Sequence, residues 1–229
     1  MKIVAAVLSP GLQKSRLRCR KKFLYYFPKG FADQKYIDWE RNYKWDAHLI
    51  WEDQLNRKEY EWLLSRKKYT EIALRAVRIE TKTNLLFSFE KMALRDAIKT
   101  PAGAKQFAIG LYDYVYGVEN LQLRFEHFAE ILAVLPRRQT RVLTWPLQTV
   151  FAFLADPDRF IFLKPRVTKI AAEKYQYSFN YQSRPNWETY KNYLDFTQQI
   201  RADVADLKPR DFIDLQSFLW VLGSDEYPE

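Results

Sequence analysis

The sequence has few of the residues on which disulfide scaffolds, zinc sites and nucleotide-binding loops depend. It contains one cysteine, Cys19, so no internal disulfide can form, and we expect a reducing, cytoplasmic location. The two histidines and this cysteine are too few for an ordinary zinc site. The six glycines form no phosphate-binding loop, which argues against a P-loop or a Rossmann nucleotide site. The sequence therefore predicts neither a cofactor nor a metal.

Long hydrophobic runs are absent as well. No stretch approaches the roughly 20 apolar residues of a transmembrane helix, so we expect no membrane span. The apolar run within Met1–Leu8 is six residues long, and no small-residue cleavage site follows it. A secretory signal needs an apolar region of roughly 7–15 residues, so we expect no such signal here.

Aromatic residues and helical spacing dominate what is present. Fifteen Tyr, sixteen Phe and seven Trp predict a core built from large rings. Apolar residues at three- and four-residue spacing, and prolines suited to a first helical turn, predict a mainly α fold. We expect a compact multi-helix domain of about nine helices with a short extended or β-hairpin N-terminal segment. The predicted helices cover 34–55, 57–65, 68–98 with a break near 81–83, 101–117, 119–134, 146–155, 165–175, 187–206 and 209–223.

These elements divide the chain into three regions. Residues 1–32 are predicted to form a basic arm or hairpin packed on the body, and residues 33–223 the helical domain. Residues 224–229 are predicted to form an acidic tail that frays. In the helix over 34–55, helical spacing places these residues on the apolar face: Tyr36, Trp39, Tyr43, Ala47 and Ile50.

Positive charge is concentrated near the start of the chain. Residues 1–44 hold eleven Lys and Arg against three acidic residues, whereas residues 45–229 hold 26 basic and 25 acidic residues. The net charge of +9 therefore describes a local basic region on an almost neutral body. Concentrated positive charge attracts polyanions, because each neutralised phosphate releases condensed counterions.

The densest part of this region is the basic cluster, which consists of Lys14, Arg16, Arg18, Arg20, Lys21 and Lys22. From residue 14 to residue 20 every second side chain is basic, and a period of two predicts an extended segment with one basic face. The aromatic residues that follow, within 23–27, could stack on unpaired bases or dock the arm on the core. If all six cations met phosphates, the log–log salt slope of binding would be about −5.

A nucleic-acid-binding protein without strong base specificity is the function that this pattern favours. The tetrapeptide LKPR occurs at 163–166 and 207–210, at two predicted helix starts, where free backbone N–H groups attract anions. Proline as a helix opener explains this repeat without any ligand, and that structural interpretation is the stronger one. The candidate phosphate contacts are Lys14, Arg16, Arg18, Arg20, Lys21, Lys22, Arg41, Lys44, Arg137, Arg138, Arg141, Lys164, Arg166, Lys208 and Arg210.

Basic charge alone does not identify the polyanion, and an acidic protein partner is the main alternative to nucleic acid. In this second hypothesis the basic arm docks on an acidic partner or on the chain's own acidic residues, Asp225, Glu226 and Glu229. The protein would then be an interaction subunit.

A nuclease-like enzyme is the third hypothesis. Glu80-Thr81-Lys82, with Asp46 or Asp53 upstream, resembles the motif of metal-dependent nucleases with the restriction-endonuclease-like fold. That resemblance implies carboxylates that bind Mg²⁺ and a lysine that assists the attacking water. The motif belongs on a strand, whereas the spacing around Glu80 is helical, so this hypothesis ranks last. Glu90 and Asp96 are the other acidic candidates.

Three further side chains have reactive chemistry. Cys19 lies among cations that favour a thiolate, so it is a reactive thiol if exposed and a small core residue if it faces inward. Neither His48 nor His127 belongs to a ligand motif, and we predict structural or surface roles for both.

Overall fold

The computed structural model describes residues 10–136, 138 and 140–229. This part of the chain is mainly helical and contains no strand, which confirms the predicted all-α class. Helix α2 is continuous and includes a π-helical stretch, Ile37–Arg41, between two α-helical parts. Within the described residues the eleven helices are α1 (Pro10–Tyr26), α2 (Gln34–Tyr36, Ile37–Arg41 and Asn42–Gln54), α3 (Arg57–Ser65), α4 (Tyr69–Glu80), α5 (Ser88–Ile98), α6 (Pro101–Tyr116), α7 (Leu121–Val134), α8 (Trp145–Ala155), α9 (Pro165–Tyr175), α10 (Trp187–Asp203) and α11 (Phe212–Gly223).

The first difference from the predicted nine helices is α1, which carries the whole basic cluster. The prediction of an extended or hairpin segment is wrong for residues 10–26, because they form a helix. Residues 12–24 contain no β-branched side chain and are rich in Leu, Gln, Lys and Arg, which are strong helix formers. Helical spacing also buries Cys19, Phe23 and Phe27 on one face. The apolar residues 2–8 lie outside the described residues.

The second difference is the break predicted near residues 81–83, which divides the long helical pattern into α4 and α5. The Thr83 hydroxyl donates to the Glu80 carbonyl at 2.9 Å, at the end of α4. Helix α5 begins after Phe87, whose backbone N–H donates to the Glu90 carboxylate at 2.8 Å. These local bonds satisfy backbone groups that a helix end leaves free.

Two helices form the centre of the molecule. Every residue of α8 is buried, and α11 is buried except at Trp220. A helix that is apolar on all sides needs neighbours on all sides. Helices α2, α4, α6 and α7 surround α8, whereas α1, α9 and α10 pack against α11.

A non-helical segment, residues 160–163, lies in the core between α8 and α10 and leads into α9. Its side chains are buried, and hydroxyl groups bind its backbone. The Tyr190 hydroxyl lies 3.1 Å from the Ile161 nitrogen, and the Tyr193 hydroxyl donates to the Phe162 carbonyl at 3.0 Å. Buried backbone without a ladder partner needs such bonds, and they fix where α9 begins.

The acidic tail, residues 224–229, is packed rather than frayed. Tyr227 is buried, and its hydroxyl donates to the Glu40 carboxylate at 2.5 Å. Glu229 lies 3.2 Å from the Lys22 ammonium and 2.5 Å from that of Lys174. These contacts hold the tail against α1, α2 and α9, so the prediction of fraying is wrong.

Candidate nucleic-acid interface

Helix α1 is fixed on the body by one aromatic face. The Phe23 ring lies 4.8 Å from that of Phe31 and 5.0 Å from that of Phe218. Phe27 and Tyr36 complete this buried cluster. Aromatic pairs at these distances add to the free energy of burial, so the orientation of α1 is set by its core face.

The opposite face of α1 carries what we call the basic stripe: Lys14, Arg18 and Lys21. Their spacing of four and three residues places them one above the other on the helix surface. All three are exposed, and none forms an ion pair with another described residue. Tyr25 continues the same face and is 79% exposed.

Aromatic rings extend this surface beyond the end of α1. We call Tyr25, Tyr26 and Trp39 the aromatic end. The rings of Tyr25 and Tyr26 are 5.1 Å apart, and the Lys35 ammonium lies 4.3 Å from the Trp39 ring. Trp39 is 58% exposed, although its spacing in the sequence predicts an apolar face. Sequence reasoning missed this Lys35–Trp39 pair, although its four-residue spacing on a helix was visible.

The other half of the basic cluster binds the protein's own carboxylates. Arg16 lies 3.0 Å from Asp203, and Arg20 binds both oxygens of Asp206 at 2.7 and 2.6 Å. Lys22 is paired with Glu229 across 3.2 Å. The helix therefore separates the six cations onto different faces, and three of them are already neutralised.

Arg41 and Lys44 lie inside the protein. The Arg41 guanidinium donates to Asp211 at 2.9 and 2.6 Å and to Asp214 at 2.8 Å. Lys44 is 1% exposed, and its ammonium lies 2.8 Å from the Ser217 hydroxyl. These two cations join α2 to α11 and face no surface on which a polyanion could bind.

The first LKPR segment opens a helix as predicted, because Pro165 is the first residue of α9. Lys164 is buried and donates to the Leu85 carbonyl at 2.8 Å. Arg166 is exposed and pairs with Asp225 at 2.8 Å. The motif thus places one cation in the interior and one on the surface.

The second LKPR segment does not open a helix, and the predicted start of α11 at residue 209 is wrong. The helix begins at Phe212, because the Asp211 side chain accepts from the backbone N–H groups of residues 213 and 214. Lys208 is exposed with a φ of 55°, in the turn before this cap. Arg210 donates to Asp214 at 2.9 Å.

The loop between α7 and α8 contributes the remaining basic candidates. Arg138 and Arg141 are both exposed. Arg138 lines a small depression with Phe89 and Met92, next to α5. Arg137 lies outside the described residues.

The structure gives Cys19 and His48 packing roles. Burial raises the pKa of the Cys19 thiol to about 11, although the charge of Arg18 opposes this shift. Cys19 is therefore a neutral, inward-facing core residue and not an activated thiolate. His48 lies with its Nδ1 atom 2.9 Å from the Leu154 carbonyl, which links α2 to α8.

The Glu-x-Lys motif lies at the end of α4 and not on a strand. Burial raises the pKa of Glu80, against the opposing charge of Lys91, whose ammonium is 3.3 Å away. Lys82 is exposed in the following turn. The described residues contain no group of three or more His, Cys, Asp or Glu placed to hold a metal ion. The motif thus lacks the strand context that its nuclease chemistry requires.

Comparison with known proteins gives no relative: no family model, no curated protein and no solved structure matches this chain. In the part of the chain that the structure describes, no helix combines the length and apolar character needed to cross a membrane. The geometry of α1 and its surroundings is therefore the basis for assigning a function to this protein.

Proposed function

We propose that this protein binds the backbone of a single-stranded nucleic acid through the basic stripe and stacks bases on the aromatic end. The observation that carries the proposal is the exposure of Lys14, Arg18 and Lys21 on one helix face, without ion pairs to other described residues. Cations that are not neutralised internally remain available to phosphates.

The length of the basic stripe suits a short run of nucleotides. Seven residues separate Lys14 from Lys21, which corresponds to about 10 Å along a helix. A strand that keeps the stacked rise of about 3.4 Å per nucleotide places about three steps along the stripe, and a more extended strand places fewer. Contacts of this kind position a backbone and carry no sequence information.

The aromatic end supports a single-stranded ligand. Tyr25 and Trp39 expose most of their surface, and stacking on an aromatic ring contributes about 1–3 kcal/mol per base. Bases of a duplex are already stacked and cannot reach these rings. We therefore expect single strands to bind more tightly than duplex DNA.

The test is fluorescence anisotropy with labelled single-stranded DNA, RNA and duplex DNA over a range of salt concentrations. With three phosphate contacts, the log–log salt slope is about −2 for a single strand and about −3 for a duplex. The triple variant Lys14→Glu, Arg18→Glu and Lys21→Glu should abolish binding. A slope near −4 for a single strand, or near −5 for a duplex, would instead mean that the internally paired cations also bind phosphates.

The matched control changes the same amount of charge elsewhere, with Lys58→Glu, Lys68→Glu and Lys82→Glu. These three lysines are exposed and form no ion pair with another described residue. The control should retain binding; if both triple variants lose it equally, net charge and not the stripe determines affinity. Substitutions of Arg16, Arg20 or Lys22 are unsuitable, because they break pairs within the fold.

An acidic protein partner is the second candidate, and one observation favours it. Three cations of the cluster already bind carboxylates, those of Asp203, Asp206 and Glu229. The surface of α1 is therefore compatible with acidic side chains as well as with phosphates. Absence of nucleic-acid binding at low salt, with stoichiometric recovery of an acidic protein bound to the stripe, would support this candidate over the first.

A further inference from the structure

A cavity of about 480 Å³ lies away from the basic stripe, between α5, α8, α9 and the end of α11. We call it the aromatic cavity; it is lined by Phe87, Phe89, Trp145, Lys164, Tyr181 and Trp220, among others. Its volume falls within the roughly 300–1,000 Å³ of small-molecule sites. The proposed nucleic-acid interface uses none of these residues.

The walls of the aromatic cavity include flat rings, and two of these rings are more than half exposed. Phe87 and Phe89 are 56% and 51% exposed, and their rings are stacked 5.6 Å apart. Exposed apolar rings grouped at a concave site mark binding surfaces. Planar walls favour a planar ligand, because rings gain most from stacked or edge contacts.

Lys164 gives the cavity a buried positive charge with unused hydrogen-bonding capacity. Its ammonium group has three N–H donors and makes one hydrogen bond of normal length to a described residue, to the Leu85 carbonyl at 2.8 Å. It also lies 3.5 Å from the centre of the Phe87 ring and 3.8 Å from the Glu90 carboxylate. An acidic group on a ligand would occupy the remaining donors.

The acidic residues around the cavity already have donors. Glu90 accepts from the Phe87 backbone N–H at 2.8 Å, Asp225 from Arg166 at 2.8 Å, and Glu226 from the Trp220 indole at 3.1 Å. Two charged groups of the lining form no ion pair with a described residue, the cation Arg141 and the acid Glu226, so these two do not set the sign of a ligand. The buried Lys164, with its remaining donors, favours an anionic ligand over a cationic one.

The first turn of α9 adds to this preference. It lines the cavity, and no side chain caps its backbone N–H groups. Uncapped N–H groups and the helix dipole stabilise negative charge. The rings of the cavity thus favour an aromatic ligand, and the buried ammonium and this helix start favour an acidic group on that ligand.

We infer that the aromatic cavity binds a small planar aromatic molecule that carries one acidic group. The ring lies between Phe87 and the indoles of Trp145 and Trp220, and the acidic group accepts hydrogen bonds from Lys164. A carboxylate and a phosphate share this chemistry, so an aromatic acid and a nucleoside monophosphate are the two sources to be distinguished.

The test uses 1-anilinonaphthalene-8-sulfonate as the probe and its fluorescence with the full-length, folded protein. We expect saturable binding of one probe, with Lys164→Met weakening the affinity about tenfold or more through loss of a charge-assisted hydrogen bond. N-phenyl-1-naphthylamine has the same rings without the sulfonate and should also bind at least about tenfold more weakly. Trp62→Ala, which removes another exposed ring at 48% exposure, should leave the affinity unchanged.

Equal affinity of both probes, or unchanged binding by folded Lys164→Met, overturns the inference. If Lys164→Met does not fold, the variants Phe87→Ala and Arg141→Gln, at the rim of the cavity, are tested instead. Unchanged probe affinity in both of these variants overturns the inference. Displacement by naphthalene-2-carboxylate or by adenosine 5′-monophosphate supports it and identifies the source; displacement by neither overturns it. The triple variant of the basic stripe should bind the probe normally, which separates this site from the nucleic-acid proposal.

Discussion

Asp214 is a carboxylate that is removed from solvent and depends on other side chains for its hydrogen bonds. It is fully buried and accepts from the Tyr36 hydroxyl at 2.6 Å, from Arg41 at 2.8 Å and from Arg210 at 2.9 Å. Burial alone would raise its pKa, but the Arg210 hydrogen bond and the Arg41 charge outweigh burial and lower it. A charge this far from water is stable only with all of its partners.

We expect Asp214→Asn to lower the free energy of unfolding by about 3–5 kcal/mol, because Arg41 then loses part of its buried compensation. Asp214 has a lower pKa in the folded state than in the unfolded chain, where it is near 3.9. Its contribution is therefore present above about pH 4 and is lost as pH falls through the folded pKa. The difference in the free energy of unfolding between the wild type and Asp214→Asn should therefore become smaller as the pH is lowered below about 4. Urea unfolding at several pH values measures this difference.

Asp225→Asn is the control for this prediction. Asp225 also pairs with an arginine, Arg166, but both side chains are more than 70% exposed. Exposed ion pairs contribute little to stability, so this variant should unfold almost like the wild type. Equal effects of the two substitutions would show that the buried network does not stabilise the fold.

The sequence could not reveal which cations are buried. Arg41 and Lys44 belong to the basic region by position, yet their partners Asp211 and Ser217 lie about 170 residues away in the chain. Trp39 was predicted to lie on the apolar face but is exposed, because the π-helical stretch Ile37–Arg41 changes which side chains of the helix point inward. Burial of Glu40 and Arg41 in its place follows from that local geometry.

At the scale of elements, the sequence predicted helix starts correctly where a local feature, such as a proline or a capping side chain, determines them. Pro101 and Pro165 begin helices as predicted, and Thr100 caps α6 by accepting from the Gly103 N–H at 3.0 Å. Residues of α1 were predicted to be extended, because basic side chains alternate over seven residues, 14–20, as they would on a strand. The longer spacing of Cys19, Phe23 and Phe27 is helical, and burial of those three side chains decides the conformation.

The acidic tail also acts as an element, because Glu229 pairs with a cation of α1, the helix on which we propose that nucleic acid binds. Its carboxylate holds both Lys22 and Lys174. We expect Glu229→Gln to make the salt slope of nucleic-acid binding steeper by about one, because Lys22 becomes available next to the basic stripe. Anisotropy titrations at several salt concentrations measure this change.

Glu226→Gln separates this local effect from net charge. Glu226 lies in the same tail but accepts from the Trp220 indole and forms no ion pair with a described residue. Both substitutions remove one negative charge, so only a specific competition makes Glu229→Gln steeper than Glu226→Gln. Identical slopes would contradict the assigned role of the tail.

At the scale of the whole molecule, α9 connects the aromatic cavity to α1, the helix that carries the basic stripe on another face. Its first turn lines the aromatic cavity, and its last residue, Tyr175, contacts Arg16 on α1 with 5.3 Å between the guanidinium and the ring centre. A helix of eleven residues is about 16 Å long, so the sites lie on one continuous body. Neither site is on a separate domain, and both depend on the same core.

That shared core includes side chains from residues 10–32, whereas the sequence analysis assigned residues 1–32 to a basic arm or hairpin packed on the body. Phe23, Phe27 and Phe31 are at most 2% exposed, and each such side chain stabilises the folded state by about 1.5–3 kcal/mol. The sum is comparable with the whole free energy of unfolding of a typical domain, about 5–15 kcal/mol.

We therefore expect a protein truncated to residues 33–229 to lose its cooperative thermal transition in circular dichroism. The triple variant of the basic stripe, which is changed only at exposed positions, should keep that transition. A truncated protein that melts cooperatively at the wild-type temperature would show that α1 is a separable arm, because burial of these rings would then contribute nothing to the stability of the body.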